Sequence, residues 1–174
     1  MRYFRIYADK QNIQPRFLNW NSLVRPGVRQ GDRIYGELDS RNYLKVELDK
    51  EIQFMDIISS PCFMVSKELA DLIRLYSPGM RFRHMVLFDE QNRRAVSYQI
   101  PDLPEVDCLY EGSELSRDGS VIRKGILCGE KTEEQPIFRL KGAEGRYIMA
   151  NLEFIESAYR REVKGMGIEE FVVR

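Results

Sequence analysis

The sequence holds one histidine and three cysteines in 174 residues, so acid-base, nucleophilic and metal chemistry have few side chains to draw on. His84 stands between Arg83 and Met85 in an alternating run, on the face shared with Val86 and Phe88. That placement predicts a partly buried imidazole satisfied by its neighbours. No Cys or carboxylate lies beside it at ligand or triad spacing, which disfavours both a zinc site and a nucleophilic triad. Cys62, Cys108 and Cys128 are widely spaced with no C-x-x-C pair, the pattern of reduced and mostly buried thiols. Cys62 follows Pro61 just ahead of a predicted helix; a reactive thiol there would need a lowered pKa. Neither G-x-x-x-x-G-K-[ST] nor G-x-G-x-x-G occurs, and Gly142-Ala143-Glu144-Gly145 reads as a turn. Carboxylates are the remaining resource, because metal-dependent nucleases and glycosidases need little else. The acidic-x-Lys triplet Glu162-Val163-Lys164 falls at a predicted helix end, where it reads as capping charge. No catalytic residue, metal ligand or cofactor emerges.

Charge is more informative by segment than in total. The chain has 27 basic and 27 acidic side chains, and this neutrality argues against a protein whose main task is holding nucleic acid. Residues 1 to 33 carry Arg2, Arg5, Lys10, Arg16, Arg25, Arg29 and Arg33 against Asp9 and Asp32. From 101 to 134, nine acidic residues face only Arg117, Arg123, Lys124 and Lys131. No basic residue falls between Pro101 and Ser116, where Leu103, Val106, Leu109 and Tyr110 supply apolar contact. An acidic, aromatic, loop-rich surface suits a basic protein partner; the alternative is that the two segments neutralise each other inside the fold. Asp102, Glu105, Asp107, Tyr110, Glu111 and Glu114 are the candidate contact residues.

The elements that must position these residues follow from periodicity. Phe4, Ile6 and Ala8 alternate with Arg5 and Tyr7, a half-buried strand. From Gln11 to Gly31 periodicity fails, and Trp20, Phe17 and Leu18 are expected to pin a packed loop. Residues 33 to 48 suggest a hairpin with its turn at Asp39-Ser40-Arg41-Asn42 and Leu44, Val46 and Leu48 on one face. Ser66 caps a helix bearing Leu69, Leu72, Ile73 and Tyr76, stopped by Ser77-Pro78-Gly79. A second hairpin, 83–88 with 95–100, turns at Asp89-Glu90-Gln91-Asn92; short strands follow near Val121 to Leu127 and Ile137 to Leu140. The unit Phe63 to Leu87, with cap, helix, Gly79-Met80 and strand, matches Tyr147 to Val173, with cap Asn151 and Gly165-Met166, at a spacing of 85 to 86 residues. Whether this is a duplication or what any capped helix between strands looks like stays open at this level. The expected fold is α+β: short, mostly antiparallel strands, two main helices and an internal strand-helix-strand pseudo-repeat.

The first residues form no secretory signal and no apolar run reaches the length of a membrane span, so a cytosolic protein without a membrane partner is expected. Asp56-Ile57-Ile58, Val65-Ser66-Lys67-Glu68-Leu69, the strand around Val86, Tyr98-Gln99-Ile100, Asp107-Cys108-Leu109, Ile137-Phe138-Arg139-Leu140, and Ile148 to Glu156 leading into Gly165-Met166-Gly167-Ile168-Glu169-Glu170-Phe171 follow one another in an order that resembles a bacterial family. That family was long described as a domain of unknown function and is grouped with immunity proteins of polymorphic toxin systems. The resemblance covers residues 51–174 of a single domain 1–174, with the strand and hairpin region 1–50 matching more weakly. It implies a non-enzymatic protein that binds and blocks a cognate toxin, and it carries over no catalytic or binding residue. The competing expectation is a small metal-dependent hydrolase built on a carboxylate cluster.

Overall fold

A computed structural model describes residues 1–28, 33–48, 53–132, 134–142 and 147–174. Arg29, Gly31, Asp32, Glu133 and most of the 142–145 turn read from the sequence lie outside the described residues. In chain order the strands are β1 (Tyr3–Ala8), β2 (Arg16–Phe17), β3 (Arg41–Glu47), β4 (Ile57–Ile58), β5 (Met64–Val65), β6 (Phe82–Asp89), β7 (Arg94–Pro101), β8 (Glu105–Val106), β9 (Glu114–Leu115), β10 (Ile122–Lys124), β11 (Ile126–Leu127), β12 (Ile137–Leu140), β13 (Ile148–Asn151) and β14 (Met166–Val173). The helices are α1 (Lys67–Tyr76) and α2 (Leu152–Arg160). The fold is α+β.

Two six-stranded sheets carry the architecture, one ordered β2-β3-β6-β7-β5-β4 and the other β11-β14-β1-β13-β12-β8. Their central strands correspond one to one. In the first sheet β3 runs parallel to β6, and the β6-β7, β7-β5 and β5-β4 pairs are antiparallel. In the second, β11 runs parallel to β14, and the β14-β1, β1-β13 and β13-β12 pairs are antiparallel. The registers agree as well: Val65 lies opposite Ile57 and Gln99, just as Ala150 lies opposite Ile137 and Phe4. Tyr98 of β7 and Tyr3 of β1 then occupy equivalent positions, and each buried hydroxyl donates to a backbone carbonyl next to the equivalent edge, Met55 at 2.6 Å and Gln135 at 3.0 Å. The repeat seen in the sequence therefore extends to five strands of each sheet, the edge strands β2 and β8 having no counterparts.

The repeats have exchanged their first strands. Residues 1–89 run β1 to β6 and residues 94–174 run β7 to β14, yet β1 is inserted between β13 and β14, and β7 between β5 and β6. Each repeat thus forms a split β-α-β unit whose gap is filled by the other repeat. The helices lie across these borrowed strands, α1 on β7 and α2 on β1.

Local chemistry explains the helices. Ser66 Oγ accepts from the Leu69 amide at 3.2 Å and Asn151 Oδ1 from the Phe154 amide at 2.9 Å, so both N-termini are capped as expected. Apolar positions at helical spacing, Leu69, Leu72 and Ile73 in α1 and Phe154, Ile155 and Ala158 in α2, bury one stripe of each. They meet Phe4, Ile6, Ile57, Val65, Ile137, Ile148 and Ala150 in a central core shared by both sheets. Tyr76 joins the helices, edge-on to Phe154 with its hydroxyl 2.7 Å from Ser157 Oγ. Each sheet's outer face has its own cover: Trp20, Val24, Ile34 and Leu38 over the first, and Val106, Cys108 and Ile122 over the second.

Two of these sequence expectations need correction. Residues 33–38 are not a strand; Tyr35–Glu37 form a 3-10 turn, and β3 starts at Arg41, inside the expected hairpin turn. Buried Asn42 explains this, since its amide donates to the carbonyls of Asp39 and His84 and accepts from the Asp39 amide, closing a local turn while the backbone pairs in parallel with β6. Leu18 is exposed, leaving Trp20 and the half-buried Phe17 to hold the N-terminal cover. After α2 and its C-cap Arg161, Glu162 takes the left-handed conformation (φ 56°), and Gly165 (φ 74°) then precedes β14.

Candidate functional site

The acidic segment is the cover of the second sheet. β8 pairs in parallel with β12 at the sheet edge, which points Val106 inward and leaves Glu105 exposed. Asp107 is exposed, with Lys141 Nζ at 3.4 Å. Leu109 bridges to Leu127 of β11, and the Tyr110 amide donates to the Ile126 carbonyl at 2.9 Å. The chain then turns through Tyr110–Ser113, where Ser113 Oγ both donates to the Ile126 carbonyl and accepts from its amide. Glu111 within that turn and Glu114 just after it are exposed, and Tyr110 presents its ring with the Arg174 guanidinium 6.0 Å away.

Beyond Glu114 the segment becomes a short ribbon, β9 against β10, with Leu115 and Val121 exposed near its tip. Its turn is fixed by Asp118, whose carboxylate bonds Ser116 Oγ and the Ser120 amide; hydrogen bonds from Ser116 and Ser120 hold this acid at about 2. Arg117, Arg123 and Lys124 are exposed here, so the acidic character belongs to 105–114 and the ribbon is mixed.

Asp102 stands apart from the other candidates. Its carboxylate is only 8% exposed and accepts from Arg33 and Arg81, each at 2.6 Å. Part of the basic N-terminal excess is therefore spent inside the molecule on the first residue of the acidic segment, while Glu105, Asp107, Tyr110, Glu111 and Glu114 remain at the surface. A cleft of about 450 Å³ lies beside Asp102, walled by Tyr76, Pro78, Met80, Arg81, Pro104 and Pro136.

A second open surface was hidden in the sequence pattern. α1 covers β5 and β7 but leaves the neighbouring face of β3 and β6 open, so Arg41, Tyr43 and Lys45 alternate outward beside His84, Val86 and Phe88. His84 is exposed, not partly buried as expected, and lines a hollow of about 280 Å³ with Arg41, Tyr43, Val86 and Ser97. Alternation alone predicts which residues share a face but not whether a helix covers it.

Cys62 and the acidic-x-Lys triplet are built into the packing. Cys62 is buried, and burial pushes its thiol well above the ordinary range, which opposes reactivity. Val163 of the acidic-x-Lys triplet packs in the central core, while the Lys164 carbonyl accepts from the Asp56 amide. Among the described residues, no three His, Cys, Asp or Glu side chains are grouped to hold a metal ion, and no helix is long and apolar enough to cross a membrane. No family model matches the chain, and no curated protein is significantly similar to it.

Proposed function

We propose that the chain is a cytosolic, non-catalytic protein-binding module that engages a basic partner through residues 105–114, in the manner of an immunity protein that blocks a bacterial toxin. The observation that supports this reading is the state of the acidic segment: Glu105, Asp107, Glu111 and Glu114 stand exposed around Tyr110 on a backbone tied to the second sheet by β8 and the Leu109–Leu127 bridge. A tethered segment presents its charges in a fixed pattern and loses little freedom on binding. Its carboxylates steer a basic partner from a distance, and Tyr110 offers the rigid aromatic contact that interfaces favour.

The reading expects the gene to lie directly downstream of a large secreted-toxin gene, and coexpression with that toxin tests protection. Replacing Glu105, Glu111 and Glu114 by Lys should lower the association rate about tenfold or more at low salt and remove its salt dependence. Full protection and an unchanged association rate in the folded triple variant would refute the assignment of this surface.

A further inference from the structure

The Leu109–Leu127 bridge places two of the three cysteines directly across a ladder from each other. The bridge is antiparallel, with the Tyr110 amide donating to the Ile126 carbonyl on one side and the Cys128 amide donating to the Cys108 carbonyl at 2.8 Å on the other. Cys108 and Cys128 are therefore the next opposed pair of the ladder. Opposed residues put their side chains on the same face, and where such a pair is joined by backbone hydrogen bonds its Cα atoms lie about 5.5 Å apart. A disulfide asks for a Cα separation of roughly 4.4–6.8 Å. The sequence showed only three scattered cysteines, because the two segments meet through a bridge that spacing along the chain does not reveal.

We propose that Cys108 and Cys128 form an oxidisable dithiol that closes to a disulfide with hydrogen peroxide as the oxidant. Their environments divide the roles. Cys128 is part-exposed, whereas Cys108 is fully buried, with its thiol pushed up to about 11 by burial and then by the neighbouring Asp107 and Cys128. Cys128 is the sulfur that peroxide reaches. It attacks one peroxide oxygen as a thiolate, the S–O bond forms as O–O breaks, and the released hydroxide takes up the thiol proton as water. Cys108 then attacks the Cys128 sulfenic sulfur; the S–S bond forms, S–O breaks, and the second water leaves with the Cys108 proton. The two thiols give up two electrons and one peroxide becomes two waters.

The chain between the cysteines, residues 109–127, contains Tyr110, Glu111, Glu114 and the whole β9–β10 ribbon. Oxidation would clip this cover into a closed loop on the second sheet. The dithiol itself does not depend on the binding role proposed for that segment.

The test treats the reduced full chain with hydrogen peroxide, counts free thiols after unfolding in acid, and maps linked peptides under non-reducing conditions. The expected result is a fall from three free thiols to one, a Cys108–Cys128 linked peptide, free Cys62, and reversal by a dithiol reductant. Trypsin should also cut more slowly at the exposed Arg117, Arg123 and Lys124 after oxidation. The Cys128→Ser variant, at a part-exposed position, should keep both remaining thiols under the same treatment. Retention of three thiols, linkage between separate chains, or overoxidation of Cys128 with Cys108 still free would each overturn the proposal.

Discussion

Replacing Asp102 by Asn is expected to destabilise the fold by about 2 kcal/mol, a figure that follows from its two arginine contacts. Charge-assisted hydrogen bonds contribute about 1.5–3 kcal/mol each, and Asp102 accepts one from Arg33 and one from Arg81. The Arg33 and Arg81 side chains are 49% and 74% exposed, so both guanidiniums regain water when released and the sum is discounted toward values for exposed pairs. The Asp102 amide keeps its bond to the Arg81 carbonyl in the variant, which confines the change to the side chain. Urea unfolding followed by circular dichroism at neutral pH should show the midpoint lowered by about 1 M with an unchanged slope.

Acid gives an independent arm of the same test. Burial raises the Asp102 pKa, but the hydrogen bonds from Arg33 and Arg81 outweigh it and hold the carboxyl below its ordinary value. A group depressed in the folded state contributes stability above its unfolded pKa of about 3.9 and loses that contribution as pH falls through the folded pKa. The gap between the parent and the Asn variant should therefore be full at neutral pH and close as the parent is acidified below the ordinary carboxylate range. A gap under about 0.5 kcal/mol at neutral pH, the scale of an ordinary surface substitution, or one that persists undiminished in acid, would refute the arginine clamp.

The equivalence of the repeats predicts that Tyr3→Phe and Tyr98→Phe each cost about 1 kcal/mol, the usual net value of one hydrogen bond; denaturant midpoints should fall by similar amounts, and a neutral effect at one with a large effect at the other would contradict it. Gly125→Ala should cost about 2 kcal/mol or more through overpacking, because its Cβ would run into the buried Phe171 ring. Thermal unfolding checks this, and an unchanged melting temperature would show that the ring has room to move.

The parts of the fold that the sequence made visible are those determined within a few residues. The caps at Ser66 and Asn151, the apolar stripes behind them and the Asp89–Asn92 turn of the β6–β7 hairpin all rest on local hydrogen bonds or spacing. The strand at β3 is legible but its partner is not, because the parallel partner β6 lies about forty residues further on, while the nearer 33–38 segment offers a plausible antiparallel one. Strand exchange was invisible for the same reason, since β1 and β7 have few shared residues beyond an equivalent tyrosine and an exchanged strand has the same alternation as one that stays at home. At the candidate surface, the charge run identified the segment, but only the fold separates Asp102, closed off by Arg33 and Arg81, from Glu105 and Glu111. The cysteine ladder is a tertiary fact throughout, because spacing along the chain carries no trace of it.

The exchanged strands also impose an order on assembly as the chain is synthesised. β1 is made well before its ladder partners, which include Phe171 and Asn151, so its backbone groups are paired only once the segment through β14 has followed. The first sheet is delayed less, since β7 follows β6 at once and enters between β6 and β5 as soon as it emerges. The nascent protein therefore passes through a stage in which one sheet is whole and of the other only the central strand, β1, has been made. Pairings this distant in sequence form slowly, and the unfilled ladder exposes edges that invite intermolecular pairing. A chain arrested after β7 would hold a completed first sheet together with an unpaired β1.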